Sequence, residues 1–112
     1  MTTVNSRNEF DNFVKNNKYV IVKFKAEWCG PCKKISPFFN QMMSKMDNDV
    51  KLLVIDADNN RDICSKYRIR TIPTFISFLN GDPLYIYSTS NTEEIVKFFS
   101  DTMKKYVMDK NN

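Results

Sequence analysis

The stretch Tyr19-Val20-Ile21-Val22-Lys23-Phe24-Lys25-Ala26-Glu27-Trp28-Cys29-Gly30-Pro31-Cys32-Lys33 decides the fold. Tyr19 to Phe24 is β-branched or aromatic except at Lys23, the composition of a buried strand. Pro31 then stands where a helix would begin, since its missing N–H is no loss in a first turn. A helix is expected from about Pro31 to Met46, with Pro37 kinking it. Cys29 and Cys32 therefore share one small loop between a strand and a helix. Free N–H groups and the positive dipole end of the helix would stabilise a thiolate on Cys29. A thiolate, not a thiol, attacks a disulfide. Cys32, inside the first turn, is close enough to attack the mixed disulfide that results. Gly30-Pro31 keeps the loop tight. A bare Cys-x-x-Cys also fits half a zinc site, but the strand before it, with Trp28, Gly30 and Pro31, favours a redox pair.

Working outward, elements alternate. Ser6-Arg7-Asn8-Glu9 is a capping box ahead of Phe10, Phe13 and Val14 at helical spacing. Asn16-Asn17 ends that helix. Lys51 to Ile55 is a second strand, and Asn60 to Tyr67 a short helix. Thr74 to Leu79 and Leu84 to Tyr87 are strands joined by the turn Asn80-Gly81-Asp82-Pro83. Ser90-Asn91-Thr92-Glu93 reads as a second capping box. Ile95, Val96, Phe98, Phe99 and Met103 give the last helix its apolar face. A weak strand near Thr2 to Val4 completes the count. Strands alternating with helices imply a parallel core, and the hairpin adds an antiparallel edge. The fold class is α/β, a central mixed sheet of about five strands with about four helices on its two faces.

The 112 residues suit one domain, 1–112, able to bury a core without disulfide staples. Nine Phe and five Tyr point to an aromatic-rich core. No apolar run is long enough to span a membrane. The polar start, Met1 to Phe10, lacks the apolar centre of a signal peptide, and Asp109-Lys110-Asn111-Asn112 is no retention tail. A cytoplasmic location is expected. The net charge of +4 is a mild excess, with lysines and acids interspersed, so neither nucleic acid nor a membrane is an expected partner. The absence of histidine excludes Cys-His and Ser-His catalysis and His-ligated metals. Three cysteines, Cys29, Cys32 and Cys64, make neither a disulfide framework nor a structural zinc site. Cys64 reads as a small buried hydrophobe rather than a regulatory thiol.

The run Ala26-Glu27-Trp28-Cys29-Gly30-Pro31-Cys32-Lys33 resembles the active-site signature of the thioredoxin family. Pro37 matches the family's kink in the active-site helix, Ile72-Pro73-Thr74-Phe75 its cis-proline segment, and Asn80-Gly81 its hairpin. The resemblance covers nearly the whole domain. It implies a thioredoxin-like three-layer fold and a thiol–disulfide oxidoreductase acting through Cys29 and Cys32. No cofactor beyond that disulfide is implied, and no metal. It implies a cis peptide before Pro73, beside the sulfurs, and a backbone at Ile72 that pairs with extended substrate. Trp28 would shelter the sulfurs and help bind substrate, with its indole held by Asp58. Expected partners are disulfide-containing proteins and, as electron donor, a thioredoxin reductase or the glutathione system. A monomer is expected.

Four departures qualify the resemblance. Thioredoxins usually carry a buried Asp where this chain has Lys23, and an aromatic where it has Lys25. The family's partner lysine on the neighbouring strand matches Val54. Alternation puts Lys23 and Lys25 on one face, beneath the active-site loop. Cations there favour the thiolate, and a stabilised thiolate makes the disulfide more oxidising. Lys23, if neutral, could take the proton of Cys32. Otherwise its side chain snorkels to water or pairs with Asp56. The fourth departure is Thr89, near a position where the family has a glycine that admits substrate backbone. These features keep two alternatives open: a more oxidising exchanger or isomerase, and a thioredoxin-like module that binds a partner with weak redox activity.

Overall fold

The computed structural model describes residues 2–112. Its elements, in chain order, are β1 (Thr2–Thr3), α1 (Arg7–Asn16), β2 (Tyr19–Lys25), α2 (Gly30–Ser44), β3 (Val50–Asp56), a single 3-10 turn (Ala57–Asn59), α3 (Arg61–Lys66), β4 (Thr74–Leu79), β5 (Asp82–Ser88) and α4 (Thr92–Lys110). The five strands lie in the order β1-β3-β2-β4-β5. β1, β3 and β2 run parallel, while β4 and β5 are antiparallel to their neighbours. This is the expected mixed sheet.

β2 is the central strand, and alternation along it divides the core. Val20, Val22 and Phe24 face one side and pack with Phe10 and Val14 of α1 and Ile63 of α3. Tyr19 and Ile21 face the other, against Ile35 and Phe39 of α2 and Ile95, Phe98 and Phe99 of α4. The second face is an aromatic stack. Phe39 lies over Phe75 with ring centroids 4.9 Å apart and planes 17° from parallel, and tilts against Phe99 at 5.2 Å. Tyr106 closes its far end, its buried hydroxyl donating to the carbonyls of Phe78 (2.8 Å) and Val20 (3.2 Å).

Local signals place the element ends. The Ser6 hydroxyl accepts the Glu9 N–H at 3.1 Å, as a capping box requires, while the Glu9 carboxylate reaches back to the Asn5 N–H at 3.0 Å. Asn80 and Gly81 both have positive φ, 53° and 84°, so the hairpin loop is these two residues alone. Pro83 is not in the turn, as the sequence suggested, but inside β5. It is tolerated there because β5 is an edge strand and the register slips beside it, between Ser77 and Phe78.

Two expectations for α4 are corrected. Its N-cap is Asn91, not Ser90: the Asn91 side chain accepts the Glu94 N–H at 3.0 Å. Its buried stripe is Ile95, Phe98, Phe99, Thr102 and Tyr106. Val96 and Met103, expected on that face, are exposed. Residues 95, 98, 99, 102 and 106 form one continuous stripe at helical spacing, and 96 and 103 lie off its edge.

Candidate active site

The end of β2 and the start of α2 build the site. A turn closed by the Cys29 N–H on the Ala26 carbonyl (3.2 Å) lifts Trp28 clear of the surface and delivers Cys29 to the helix. Cys29 is the N-cap of α2: its sulfur accepts the Cys32 N–H at 3.2 Å. A serine or aspartate does this work at most helix starts, and here a sulfur does. An anionic sulfur accepts that N–H more strongly and gains from the dipole end. Cys29 and Cys32 are joined as a disulfide, with Cα atoms 5.3 Å apart. Each residue is only 2% exposed, so burial does not separate their roles. Position does. Cys29 faces the loop before β4, its sulfur 3.8 Å from the Ile72 carbonyl oxygen, while Cys32 lines a cavity beneath the loop.

Pro31 occupies the first turn of α2, and Pro37 lies inside the helix. With no N–H on Pro37, the Lys33 carbonyl loses its donor four residues on. Gly30 is not demanded by the chain's own packing: a Cβ there would meet nothing within 4 Å. What its lack of a side chain preserves is open surface beside the disulfide. The Ile72–Pro73 peptide is cis, and Pro73 is buried. The Thr89 N–H holds the Pro73 carbonyl at 3.2 Å, so the loop after β5 braces the proline segment. The Thr89 hydroxyl is engaged away from the sulfurs: it donates to the Glu94 carboxylate at 2.6 Å and accepts the Asn91 N–H at 3.0 Å.

Trp28 is 69% exposed, yet fixed. Its indole N–H donates to Asp58 at 2.8 Å. Asp58 sits on the 3-10 turn after β3, and its own N–H donates to the Asp56 carboxylate at 2.9 Å. The pairing expected from sequence is therefore present, and it leaves a flat aromatic face next to the disulfide.

Lys23 and Lys25 do share the face beneath the loop, lining the cavity with Cys32. Neither outer fate expected for Lys23 is realised. It is 5% exposed, so its side chain is not carried out past the sheet edge into bulk solvent, and among the described residues it pairs with no carboxylate, Asp56 included. Its ammonium donates to the Ser36 hydroxyl at 2.5 Å and lies 5.1 Å from the centroid of the Phe39 ring. Burial, reinforced by the positive charge of Lys25, lowers its pKa from the usual lysine value. Across the sheet its register partner is Val54, which supplies no charge. Among the described residues Lys25 pairs with Glu27 alone, at 3.4 Å, with that carboxylate largely in solvent.

Ser36 is the site residue that sequence reading missed. It follows Cys32 by one helical turn, so both lie on one face of α2. That spacing was visible, but a helical serine carries no signal until the lysine facing it is placed. Cys64 packs half-buried against the α1 and α3 core. Burial, with the negative charges of Asp62 and Asp58, raises its pKa and keeps it a thiol. No group of three or more metal-ligating side chains occurs among the described residues.

A disulfide at a helix start, with a braced proline loop across from it, can exchange with another disulfide. Comparison with known proteins agrees. The Thioredoxin family model matches residues 1–101. Thioredoxin of Ophiophagus hannah is 36% identical over 91 residues, which cover 81% of this chain and 82% of that protein. Thioredoxin 1 of Plasmodium falciparum is 41% identical over 78 residues, covering 70% and 74%. A solved structure of Plasmodium falciparum thioredoxin superimposes with a TM-score of 0.81 at 33% identity, covering 90% of this chain and 98% of that one. On that likeness of sequence, fold and paired sulfurs, the chain belongs to the thioredoxin family, and its chemistry is thiol–disulfide oxidoreduction.

Proposed function

We propose that the chain reduces disulfides in protein substrates, with Cys29 as attacking sulfur and Cys32 as resolving sulfur. The observation that carries this reading is the Cys29 sulfur as N-cap of α2, accepting the Cys32 N–H. In the first step the Cys29 thiolate attacks one sulfur of the substrate disulfide. A Cys29–substrate bond forms, and the other substrate sulfur leaves as a thiolate and takes a proton. In the second step Cys32 gives up its proton and attacks the Cys29 sulfur. The Cys29–Cys32 bond forms and the second substrate thiolate leaves. Two electrons have passed from the dithiol to the substrate.

Restoring the dithiol takes a two-electron donor, for which a thioredoxin reductase or the glutathione system fits the family. The exposed face of Trp28, the backbone at Ile72 and the Pro73 loop form the substrate platform in this reading, and an extended segment would lie along them as on a sheet edge. Thr89 acts by bracing Pro73 rather than by its hydroxyl. Asp58 holds Trp28, and Gly30 and Pro31 shape the turn between the sulfurs. Acting as a monomer in the cytoplasm belongs to the same proposal. The insulin assay tests it: with dithiothreitol as donor, the protein is expected to hasten precipitation of the reduced chains. No acceleration over dithiothreitol alone would leave a partner-binding module instead.

Lys23 favours a second shade of this function. Charge beside the sulfurs stabilises the thiolate, hence the dithiol, hence a more oxidising disulfide. Lys23→Asp is therefore expected to lower the reduction potential, by about 30 mV for each tenfold change in the dithiol–disulfide equilibrium, and to raise turnover with insulin. Equilibration against glutathione reads the first, the precipitation assay the second. If both stay at the wild-type values, Lys23 has no part in tuning the sulfurs.

A further inference from the structure

The cavity beneath the disulfide holds a problem that the redox chemistry does not solve. Its volume is about 740 Å³, within the roughly 300–1,000 Å³ of small-molecule sites. Three lysines, Lys23, Lys25 and Lys33, line it against one acid, Glu27. Lys23 is 5% exposed, with a neutral hydroxyl and an aromatic ring as its companions. A buried ammonium without a counter-ion is costly, and an anion placed beside it recovers that cost. Glu27 does not fill the role: its carboxylate is mostly in solvent and meets Lys25, not Lys23. The rest of the lining includes the apolar side chains of Leu52, Val54, Ala26 and Pro37. A bare oxyanion would leave most of that surface uncovered.

We propose that this cavity binds a small organic anion, with a carboxylate or phosphate head against Lys23 and Lys25 and an apolar body along Leu52 and Val54. Cys32 lines the same cavity. A bound anion and a thiolate compete for the same cations, so the ligand binds the disulfide form more tightly than the dithiol form. By reciprocity, ligand binding stabilises the disulfide. The cavity thus couples a metabolite-sized anion to the redox state of the sulfurs.

Titration of the disulfide form by calorimetry and amide NMR tests this without turnover, so its failure leaves the proposed reductase activity standing. The probes are hexanoate, hexyl phosphate, hexanol and hexylamine, which share a tail and differ in the head. One or both anions are expected to bind and to shift the amides of Ser36, Asn40 and Val54. The tighter of the two identifies the head. Hexanol and hexylamine are expected to bind at least about tenfold more weakly. Lys23→Met, which keeps the apolar stem, is expected to weaken anion binding about tenfold, and Lys25→Met by a smaller factor. Reduction of the disulfide is expected to weaken it too. Equal binding of hexanol and hexanoate would make the cavity an apolar cleft and overturn the proposal. So would anion binding that neither lysine variant changes, or no shift at those amides.

Discussion

Cys29→Ser is expected to take insulin reduction down to the rate of dithiothreitol alone. A serine hydroxyl does not ionise near neutral pH and forms no mixed disulfide. The N-cap contact with the Cys32 N–H survives through oxygen, so the helix start remains and the loss is chemical. Neither remaining cysteine replaces it. Cys32 lines the cavity beneath the loop rather than the face toward Ile72 and Pro73. Cys64 lies on α3, half-buried against the other core and held as a thiol. Unchanged far-ultraviolet circular dichroism with lost activity is the expected pair of observations. Residual activity near wild type would mean that another sulfur attacks.

Phe39→Ala is expected to destabilise the disulfide form by about 3–5 kcal/mol, read as a lower midpoint in urea at unchanged slope. Phe39 is fully buried at the centre of the α2–α4 face. It stacks on Phe75, tilts against Phe99 and carries the Lys23 ammonium over its ring. Truncation removes all three contacts and leaves a cavity in the layer that holds α2 to the sheet. Against a total of about 5–15 kcal/mol that is a large share. Phe39→Leu keeps much of the volume and is expected to cost much less. A loss under about 1 kcal/mol for the alanine variant would show that this stack does not anchor α2.

Sequence alone conveyed most of the architecture, because the signals that set it are local. β-branched runs marked β2, β3 and β4, and Ser6 with Glu9 marked the start of α1. Asn80-Gly81 marked the hairpin, since both positions need positive φ. α4 was read less well. Apolar residues at 95, 96, 98, 99 and 103 allow more than one stripe, and the stripe that is buried includes the polar Thr102. Packing against β2, β4 and α2 made the choice, and no single helix encodes that. Likewise, Ser90 with Glu93 fits a capping box, but the next polar residue, Asn91, makes the cap with the Glu94 N–H.

At the site, the two sulfurs, Trp28, Asp58 and Pro73 were legible because they stand in one recognisable order. Lys23 was legible as an exception and not as a structure. Alternation put it on the α2 face, but its companions, Ser36 and Phe39, come from α2 and depend on how that helix lies on the sheet. An isolated lysine in a strand most often snorkels outward. Here the helix covers its path, so the charge stays inside, on Ser36 and beside the cavity that Cys32 also lines.

The most direct measurement is the fate of Cys32→Ser mixed with a disulfide-bearing protein. Without its resolving sulfur, the variant is expected to accumulate as a covalent adduct that dithiothreitol releases, with peptide mapping by mass spectrometry placing the bond on Cys29. An adduct on Cys64, or none while the wild-type chain turns over the same substrate, would contradict the exchange described.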